Sequence, residues 1–479
     1  MTYDAIILTH LSVAPMTKTI GPYRIADTLR KIGWTVQVIS MTNTFSQDEL
    51  LETLFHFTDN KTKLIGVSTT FFQNVDVTNM HNTFEEGMPG SVRNVLKEVK
   101  EAFPNVRVIA GGSHSHKQIG DSLFDAVFHG YADNAVLEYA LSLTGVKKPI
   151  WKYQSGTKII EGENYPVEME HLTHRWENND IILPGETLPI EISRGCIFKC
   201  KFCNFQLTGK KKLDYIRDAA ILKEEFLSNY ERFGVTNYTF SDDTFNDSTY
   251  KLEKIYEAVR DLPFKINFVT YLRIDLLHAN REQIDLLKEI GIRSGFFGIE
   301  SLNLESAKIV GKGFKSEKIK DFILELKNDH FKNGYSMVYS FIVGLPLETL
   351  DSCEKTFQWC NDHDINTIWS PLFIRTEHRY KSDIDINYEK YGYQLEPGTT
   401  NKWINEHMTQ RLAFETATRF NQERNNTLHS WPLFDGAALQ VGTWEEMTKM
   451  RMNGLIHDPI IRAKMVEKIS AYKAELKKW

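Results

Sequence analysis

The chain has 479 residues, with 57 Lys and Arg against 63 Asp and Glu for a formal net charge of −6. Hydrophobic residues at 42%, aromatic residues at 12% and charged residues of both signs at 25% exclude wholesale disorder, because such a chain can bury large cores. The charge excludes a globally basic nucleic-acid binder, and the length exceeds what one ordinary domain of about 150 residues holds.

Residues 1–145 alternate short apolar runs with helical patterns, as βαβ units around a parallel sheet do. Strands are expected at Ala5–Leu8, Val36–Ile39, Leu64–Ser68, Val106–Ala110 and Asp125–Phe128. A helix opens at Ile20-Gly21-Pro22, carries Ile25, Leu29 and Ile32 on one face, and stops at Gly33. In an open sheet of this kind the ligand crevice lies at the carboxyl ends of the strands. Those ends are the segments after Leu8, Ser68, Ala110 and Phe128. The opening Met1-Thr2-Tyr3-Asp4 has neither the basic n-region nor the apolar h-region of a signal peptide, and no run of about 18 apolar residues occurs. The expectation is a cytoplasmic protein without membrane or nucleic-acid partners.

Residues 146–186 read as a connector, with a polar hairpin-like stretch around Gly156 and Gly162 and prolines at 166 and 184. Strand-helix alternation restarts over 187–372. Strands are expected at Leu188–Ile192, Asn237–Ser241, Lys265–Thr270, Ser294–Ile299, Tyr335–Val343 and Thr367–Leu372, with helices near 213–233, 247–260, 280–290, 315–332 and 350–361. Six such units predict a partial barrel with its site at the carboxyl ends of the strands. Beyond 373 the alternation gives way to a Tyr- and Trp-containing extension running to 479, with a helix candidate at 403–424. Its final stretch spaces Ile460, Ile461, Met465, Ile469, Tyr472 and Leu476 as an amphipathic packing helix with a Lys-bearing outer face. The expected fold class is α/β: an N-terminal doubly wound Rossmann-like domain, a partial (β/α)6 TIM-type barrel and a mainly helical C-terminal extension.

Five cysteines, an odd number in a chain without an export signal, do not make a disulfide framework. Three of them crowd into Glu191-Ile192-Ser193-Arg194-Gly195-Cys196-Ile197-Phe198-Lys199-Cys200-Lys201-Phe202-Cys203. Thiolates separated by three, then two, intervening residues after a strand can wrap one inorganic cluster, because short spacers let the sulfurs converge. Three free thiols, or a zinc site completed by a distant His, are the alternatives from the residues alone. This C-x3-C-x2-C spacing, with an aromatic residue before the last cysteine, resembles the radical S-adenosylmethionine (SAM) enzymes. The resemblance implies a 4Fe-4S cluster on Cys196, Cys200 and Cys203 with one iron open to SAM. It also implies reductive cleavage of SAM to a 5′-deoxyadenosyl radical and an electron donor such as flavodoxin or ferredoxin.

Later segments extend the resemblance over 188–372. Phe240-Ser241-Asp242-Asp243-Thr244-Phe245 is similar to the family segment that supports the methionine moiety, implying Asp242 and Asp243 as acceptors. By itself Asp243 reads almost as well as a helix N-cap. Arg273, in Tyr271-Leu272-Arg273, can clamp a carboxylate bidentately or make a surface salt bridge. Gly298-Ile299-Glu300-Ser301 resembles the motif whose Glu and Ser lie beside the ribose, with a helix cap as the alternative. Phe341-Ile342-Val343-Gly344-Leu345-Pro346-Leu347-Glu348-Thr349 resembles the fifth-strand segment, where a turn at Gly344 and Pro346 brings backbone close to the adenine. Cys353 and Cys360, seven apart on one helix, read as packing thiols, and no auxiliary cluster is expected.

The N-terminal region resembles the cobalamin-binding domain that precedes the barrel in one branch of this superfamily. The likeness is carried by Thr19-Ile20-Gly21-Pro22-Tyr23-Arg24-Ile25, Gly66-Val67-Ser68, Gly111-Gly112-Ser113-His114 and His129-Gly130-Tyr131-Ala132-Asp133. It implies that Gly21, Pro22, Ser68, Gly111, Gly112 and Gly130 face a corrin or its nucleotide tail. The D-x-H-x-x-G segment that supplies a lower His ligand in many cobalamin proteins is absent, so a corrin here would bind without that ligand. A doubly wound domain kept for packing or substrate binding is the alternative. His10, His114 and His116 read as solvated or hydrogen-bonded loop histidines rather than a metal site.

The implied function is cobalamin-dependent methylation of an unactivated carbon in a small-molecule or peptide substrate. The second reading keeps the radical step without a corrin, as rearrangement, ring contraction, cyclisation or, least favoured, methylthiolation. A third is a non-catalytic iron-sulfur redox or sensor protein. Trp403, His407, Arg411 and Trp431 are expected to close the barrel mouth, or to pack a core.

Overall fold

A computed structural model of the chain describes residues 3–10, 18–70, 74–76, 81–83, 88–147, 149–205, 207, 209, 215–312, 316–332, 334–423 and 459–479. Two compact units are present. One comprises Met1–Pro189, Glu225–Val235 and Pro459–Trp479; the other comprises Ile190–Glu224 and Thr236–Asp458.

The first unit runs β1 (Ala5–Leu8), α1 (Ile20–Arg30), β2 (Val36–Ile39), α2 (Gln47–Phe57), β3 (Leu64–Ser68), β4 (Asn74–Asp76), β5 (His81–Thr83), α3 (Gly90–Ala102), β6 (Arg107–Gly111), β7 (Ala126–His129), α4 (Asp133–Leu143), β8 (Lys152–Gln154) and β9 (Thr157–Glu161). The main sheet has the order β2-β1-β3-β6-β7-β9-β8. It is parallel except for the β8–β9 pair. β1 and β2 are buried along their whole length; β1 accordingly reads as a continuous apolar run, while β2 carries the buried Gln37. The helices cover the sheet with one face, as α3 does with Val92, Val95, Leu96 and Val99.

Two features of this unit were not expected. The hairpin-like stretch around Gly156 is a hairpin, in which Ser155 and Gly156 both have positive φ, but it joins the main sheet rather than standing apart as a connector, because β9 pairs in parallel with β7. Only Ile159 and Ile160 of β9 are buried apolar residues, too short a run to signal a strand. The final helix, Pro459–Leu476, belongs to this unit, burying Ile469, Tyr472 and Leu476. The Tyr472 hydroxyl accepts from the Ser40 backbone N–H at 2.7 Å, and Lys473 Nζ donates to the Thr44 carbonyl at 2.8 Å. The side chains of Ile460, Ile461 and Met465 lie outside the described residues.

The second sheet has six strands in chain order: β10 (Leu188–Ile190), β11 (Asn237–Phe240), β12 (Asn267–Leu272), β13 (Ile292–Glu300), β14 (Ser336–Val343) and β15 (Thr367–Pro371). From β11 to β15 every pairing is parallel, the layout of a partial barrel. The helices between these strands in the chain are α5 (Ala219–Phe233), α6 (Thr249–Val259), α7 (Ile274–Ala279), α8 (Glu282–Ile290), α9 (Leu304–Ile309), α10 (Ser316–Glu325) and α11 (Leu350–Asp362). The helix expected at 315–332 ends as α10 and continues as one π-helical stretch, Leu326–His330.

Beyond β15 come α12 (Asp383–Ile386), the short antiparallel pair β16 (Gln394–Leu395) and β17 (Trp403–Ile404), and α13 (Gln410–Glu423). The helix expected from 403 therefore starts at Gln410, because Trp403 and Ile404 are committed to strand pairing. Trp403 is fully buried and its indole N–H donates to the Leu372 carbonyl at 2.9 Å. α13 is fastened to β15 by Asn421, whose side chain bonds both the N–H and the C=O of Trp369. His407 and Arg411 are exposed, and Trp431 lies outside the described residues. Among the described residues no helix is long and apolar enough to cross a membrane.

Candidate functional site

The cysteine loop leaves β10 already tied to its neighbours. Arg217 N–H donates to the Ile192 carbonyl at 2.9 Å, Cys196 N–H to Leu207 at 2.8 Å, and Gly209 N–H to Phe198 at 2.9 Å. Inside the loop, Arg194 pairs with Glu191 at 2.7 Å, both side chains being buried. Cys196 is buried, while Cys200 and Cys203 are half-buried. Burial raises the Cys196 thiol and pushes Cys203 up to about 11. All five cysteines are free thiols.

Among the described residues no three His, Cys, Asp or Glu side chains converge on one point where a single metal ion would sit. A mononuclear zinc site requires such convergence, with about four donors around one ion. A cubane cluster instead takes one thiolate on each iron, so three cysteines spread along a short loop fit it. The donor set suits the cluster.

Side chains from successive strand ends meet this loop. After β11, Thr244 Oγ1 lies 3.3 Å from Cys196 Sγ. Asp242 Oδ1 accepts from the Ser193 N–H at 2.5 Å and its hydroxyl at 2.7 Å. The fully buried Lys251 ammonium donates to Ser193 Oγ at 2.7 Å and to the Thr244 carbonyl at 2.9 Å, and lies 3.6 Å from Asp242 Oδ1. Asp242 Oδ2 is buried without a hydrogen-bond partner among the described residues. Burial, with the neighbouring Asp242 charge, pushes Asp243 up to about 6. Asp243 is not the cap of α6: Ser248 is, its hydroxyl accepting from Lys251 N–H.

After β12, Arg273 Nη1 donates to Cys200 Sγ at 3.4 Å. Its Nε and Nη2 grip Asp275 at 3.0 and 2.6 Å, and its guanidinium lies 3.8 Å from the centre of the Phe198 ring. The bidentate partner expected for this Arg is thus a carboxylate of the chain itself. Against the desolvation of burial, the Arg273 hydrogen bond holds Asp275 below the usual carboxylate range.

β13 ends in a bulge between Gly298 and Glu300, and Glu300 has φ 70°. A non-glycine residue in this left-handed region costs on the order of 1–3 kcal/mol. Lys312 Nζ donates to the Gly298 carbonyl at 2.9 Å and stands 3.2 Å from Glu300 Oε1. The cap of α9 is Asn303, so neither Glu300 nor Ser301 serves that purpose. Ser301 Oγ instead donates to Glu348 Oε1 at 2.5 Å. Glu348 follows the turn after β14, is buried, and is pushed up to about 7 by desolvation. Cys353 Sγ lies 3.5 Å from Glu348 Oε2, and Cys353 and Cys360 are both buried. In the turn, Gly344 has φ 95° and a Cβ there would lie 2.5 Å from the Trp403 ring. Pro346 is buried beside it, and the Tyr393 hydroxyl donates to the Gly344 carbonyl at 2.7 Å.

The residues singled out after β10, β11, β12, β13 and β14 thus lie at one end of one sheet. Lys251, Lys312 and Glu348 carry much of the bonding but were given no role in advance. A lysine in the first turn of a helix or just after one reads as solvated, and only the fold shows Lys251 buried and Lys312 nearly so.

In the first unit Gly111, Gly112 and Gly130 stand at the carboxyl ends of β6 and β7. Gly111 accepts at its carbonyl from the N–H and hydroxyl of Thr69 at 2.7 and 2.8 Å. Gly112 has φ 100°, and a Cβ there would lie 2.6 Å from Thr70 Oγ1. Ser68 pairs with Gly111 across β3 and β6, Gly130 has φ 78° after β7, and Gly21 and Pro22 occupy the first turn of α1. His10 is buried with Nδ1 2.5 Å from Thr42 Oγ1, and burial pulls it down to about 3. His114 Nδ1 lies 3.1 Å from the Thr69 carbonyl.

A family model described as the radical SAM superfamily matches residues 190–360. An uncharacterized methyltransferase of Pyrococcus horikoshii is 28% identical over 174 residues, 36% of this chain and 36% of that protein. A tRNA-2-methylthio-N(6)-dimethylallyladenosine synthase of Buchnera aphidicola is 23% identical over 207 residues, 41% of this chain and 47% of that one. The chain therefore spans less than half the length of these curated relatives. The radical SAM methyltransferase TsrM from Kitasatospora setae, solved with cobalamin and a [4Fe-4S] cluster, matches with a TM-score of 0.69 at 14% identity, over 98% of this chain and 100% of that one. Solved with tryptophan substrate and a SAM analog, TsrM matches with a TM-score of 0.62 at 17% identity, over 83% and 79%. At these identities the likeness shows a shared fold. Family match, strand order and the three-cysteine loop agree, and residues 190–360 of this chain form a radical SAM domain.

Proposed function

We propose that this protein is a cobalamin-dependent radical SAM methyltransferase that methylates an unactivated carbon of a small-molecule substrate. The observation that carries the reading is the C-x3-C-x2-C loop after β10, whose sulfurs meet Thr244 from the end of β11 and Arg273 from the end of β12. When bound, the cluster and corrin supply the electron that cleaves SAM to a 5′-deoxyadenosyl radical and the carrier for the methyl group.

Cys196, Cys200 and Cys203 hold the cluster. Asp242, fixed by Ser193 and Lys251, anchors the loop, and Asp243 beside it is the acceptor for the SAM ammonium. Arg273 steadies Cys200 through its sulfur contact. Glu300 accepts from the ribose hydroxyls, Ser301 is oriented by Glu348, and the Gly344-Leu345-Pro346 backbone lies against the adenine. In the first unit the strand-end residues Ser68, Gly111, Gly112 and Gly130, with Gly21 and Pro22 at the start of α1, face the corrin. The likeness in fold to TsrM, whose structure holds cobalamin, supports this part, as does the tryptophan bound there for a small-molecule substrate. A low-potential donor of the flavodoxin or ferredoxin class supplies electrons, in a reducing cytoplasm that keeps the thiols free.

Anaerobic reconstitution, iron and sulfide analysis, and EPR spectra with and without SAM test the radical SAM step. A cluster signal that SAM perturbs is expected, and an unperturbed signal removes the proposal. Protein produced with cobalamin present should retain a corrin absorption spectrum. Loss of the corrin on purification would redirect the reading to radical chemistry without methyl transfer.

A further inference from the structure

We infer that Lys312 is a positioning residue that holds the Glu300 carboxylate for the cosubstrate ribose and keys it to the cysteine loop. The inference rests on the radical SAM reading above. The single ammonium of Lys312 spans the bulge at the end of β13, bonding the Gly298 carbonyl on one side at 2.9 Å and approaching the Glu300 carboxylate on the other at 3.2 Å. Both side chains are nearly buried, at 10% and 9% exposure, so solvent screens the pair little. A left-handed non-glycine residue persists only where its surroundings over-determine it, and the Lys312 clamp holds both the Gly298 carbonyl before the bulge and the Glu300 carboxylate itself.

The segment that carries Lys312 is itself held in place. Lys312 N–H donates to the Ala307 carbonyl at 2.7 Å, and two residues earlier the Val310 carbonyl accepts from Lys201 N–H at 3.1 Å. Lys201 adjoins Cys200, so a main-chain bond connects the cysteine loop to the Lys312 segment. A second connection runs through side chains. Arg273 meets Cys200 Sγ and grips Asp275, whose carboxylate interacts electrostatically with Lys312. Charge therefore alternates from Arg273 through Asp275 and Lys312 to Glu300. A carboxylate has about four lone-pair sites, so Glu300 can accept from Lys312 and from hydroxyl donors together.

The test uses anaerobically reconstituted full-length protein and S-adenosylhomocysteine, a SAM analog that is bound but not cleaved, with dissociation constants from calorimetry. Lys312→Met should weaken binding about tenfold with iron content unchanged, and Lys312→Arg should restore most of the affinity. Glu300→Gln should weaken binding as well, and Lys312→Met added to Glu300→Gln should cost little more. A purely structural part for Lys312 gives no such rescue and no such non-additivity. Equal or tighter binding by Lys312→Met, or losses that multiply in the double variant, would overturn the inference while the wild type still binds the analog. Failure of the cluster-loaded wild type to bind the analog at all would instead bring down the radical SAM reading, and the inference with it.

Discussion

Lys251 and Asp242 form an ion pair 3.6 Å apart in which both side chains are completely shielded from solvent. The pair joins the start of the cysteine loop, through Ser193, to the loop after β11, through the Thr244 carbonyl. Removing one partner of a buried pair strands the other charge, at a cost of about 3–5 kcal/mol. Lys251→Met should therefore lower the urea unfolding free energy by that amount. Asp242→Asn, added to it, should recover part of the loss. Equal stability of Lys251→Met and wild type would show that the pair does not hold the loop.

Cluster loading should separate the five cysteines into two classes. Cys200→Ala is expected to lose most iron after anaerobic reconstitution and to stop 5′-deoxyadenosine production. Cys353→Ala and Cys360→Ala should reconstitute normally and cost about 1–2 kcal/mol in stability, as loss of a small buried side chain does. Full deoxyadenosine production by Cys200→Ala would place the cluster elsewhere.

Glu348 gives a pH dependence with a definite sign. Its carboxyl, raised by burial from 4.5 to about 7, stays protonated in the folded chain where the unfolded chain has ionised. The folded state binds the extra proton across that window, so stability falls as pH rises from about 4.5 to 7. The shift corresponds to at most about 3 kcal/mol. Glu348→Gln cannot ionise, and its Oε1 still accepts from Ser301. Unfolding free energies at pH 5 and pH 8 should therefore differ less for Glu348→Gln than for wild type; an unchanged difference would refute the assignment.

Gly112→Ala tests the packing of the first sheet. A φ of 100° is unfavourable for alanine, and the added Cβ would collide with Thr70 Oγ1 at 2.6 Å. A loss of about 1–3 kcal/mol in thermal or urea unfolding is expected. Corrin retention should fall with it if this strand end faces the cofactor, and an alanine variant as stable as wild type would remove the packing argument.

The strands of both sheets could be read directly where burial on both faces leaves a continuous apolar run, as in Ala5–Leu8 and Leu64–Ser68. The stretch around Gly156 read as hairpin-like, but its place in the first sheet could not be read, because β9 has two buried apolar residues and gains that place by pairing with β7. Asp243, Glu300 and Ser301 each had a helix-cap alternative in the sequence. Ser248 and Asn303 occupy those caps, and this frees the strand-end residues for other work.

From sequence alone came the two-part α/β organisation and the three-thiol loop, because periodicity and short spacers are local and survive without knowledge of the fold. Tertiary structure alone decided the partners. It put Lys251 under Asp242, Lys312 across the bulge at Glu300, Glu348 against Ser301 and the last helix on the first sheet. Each of those pairings joins residues distant in the chain, and an ammonium or carboxylate reveals its role only when burial forces it to find an opposite charge or a hydrogen bond.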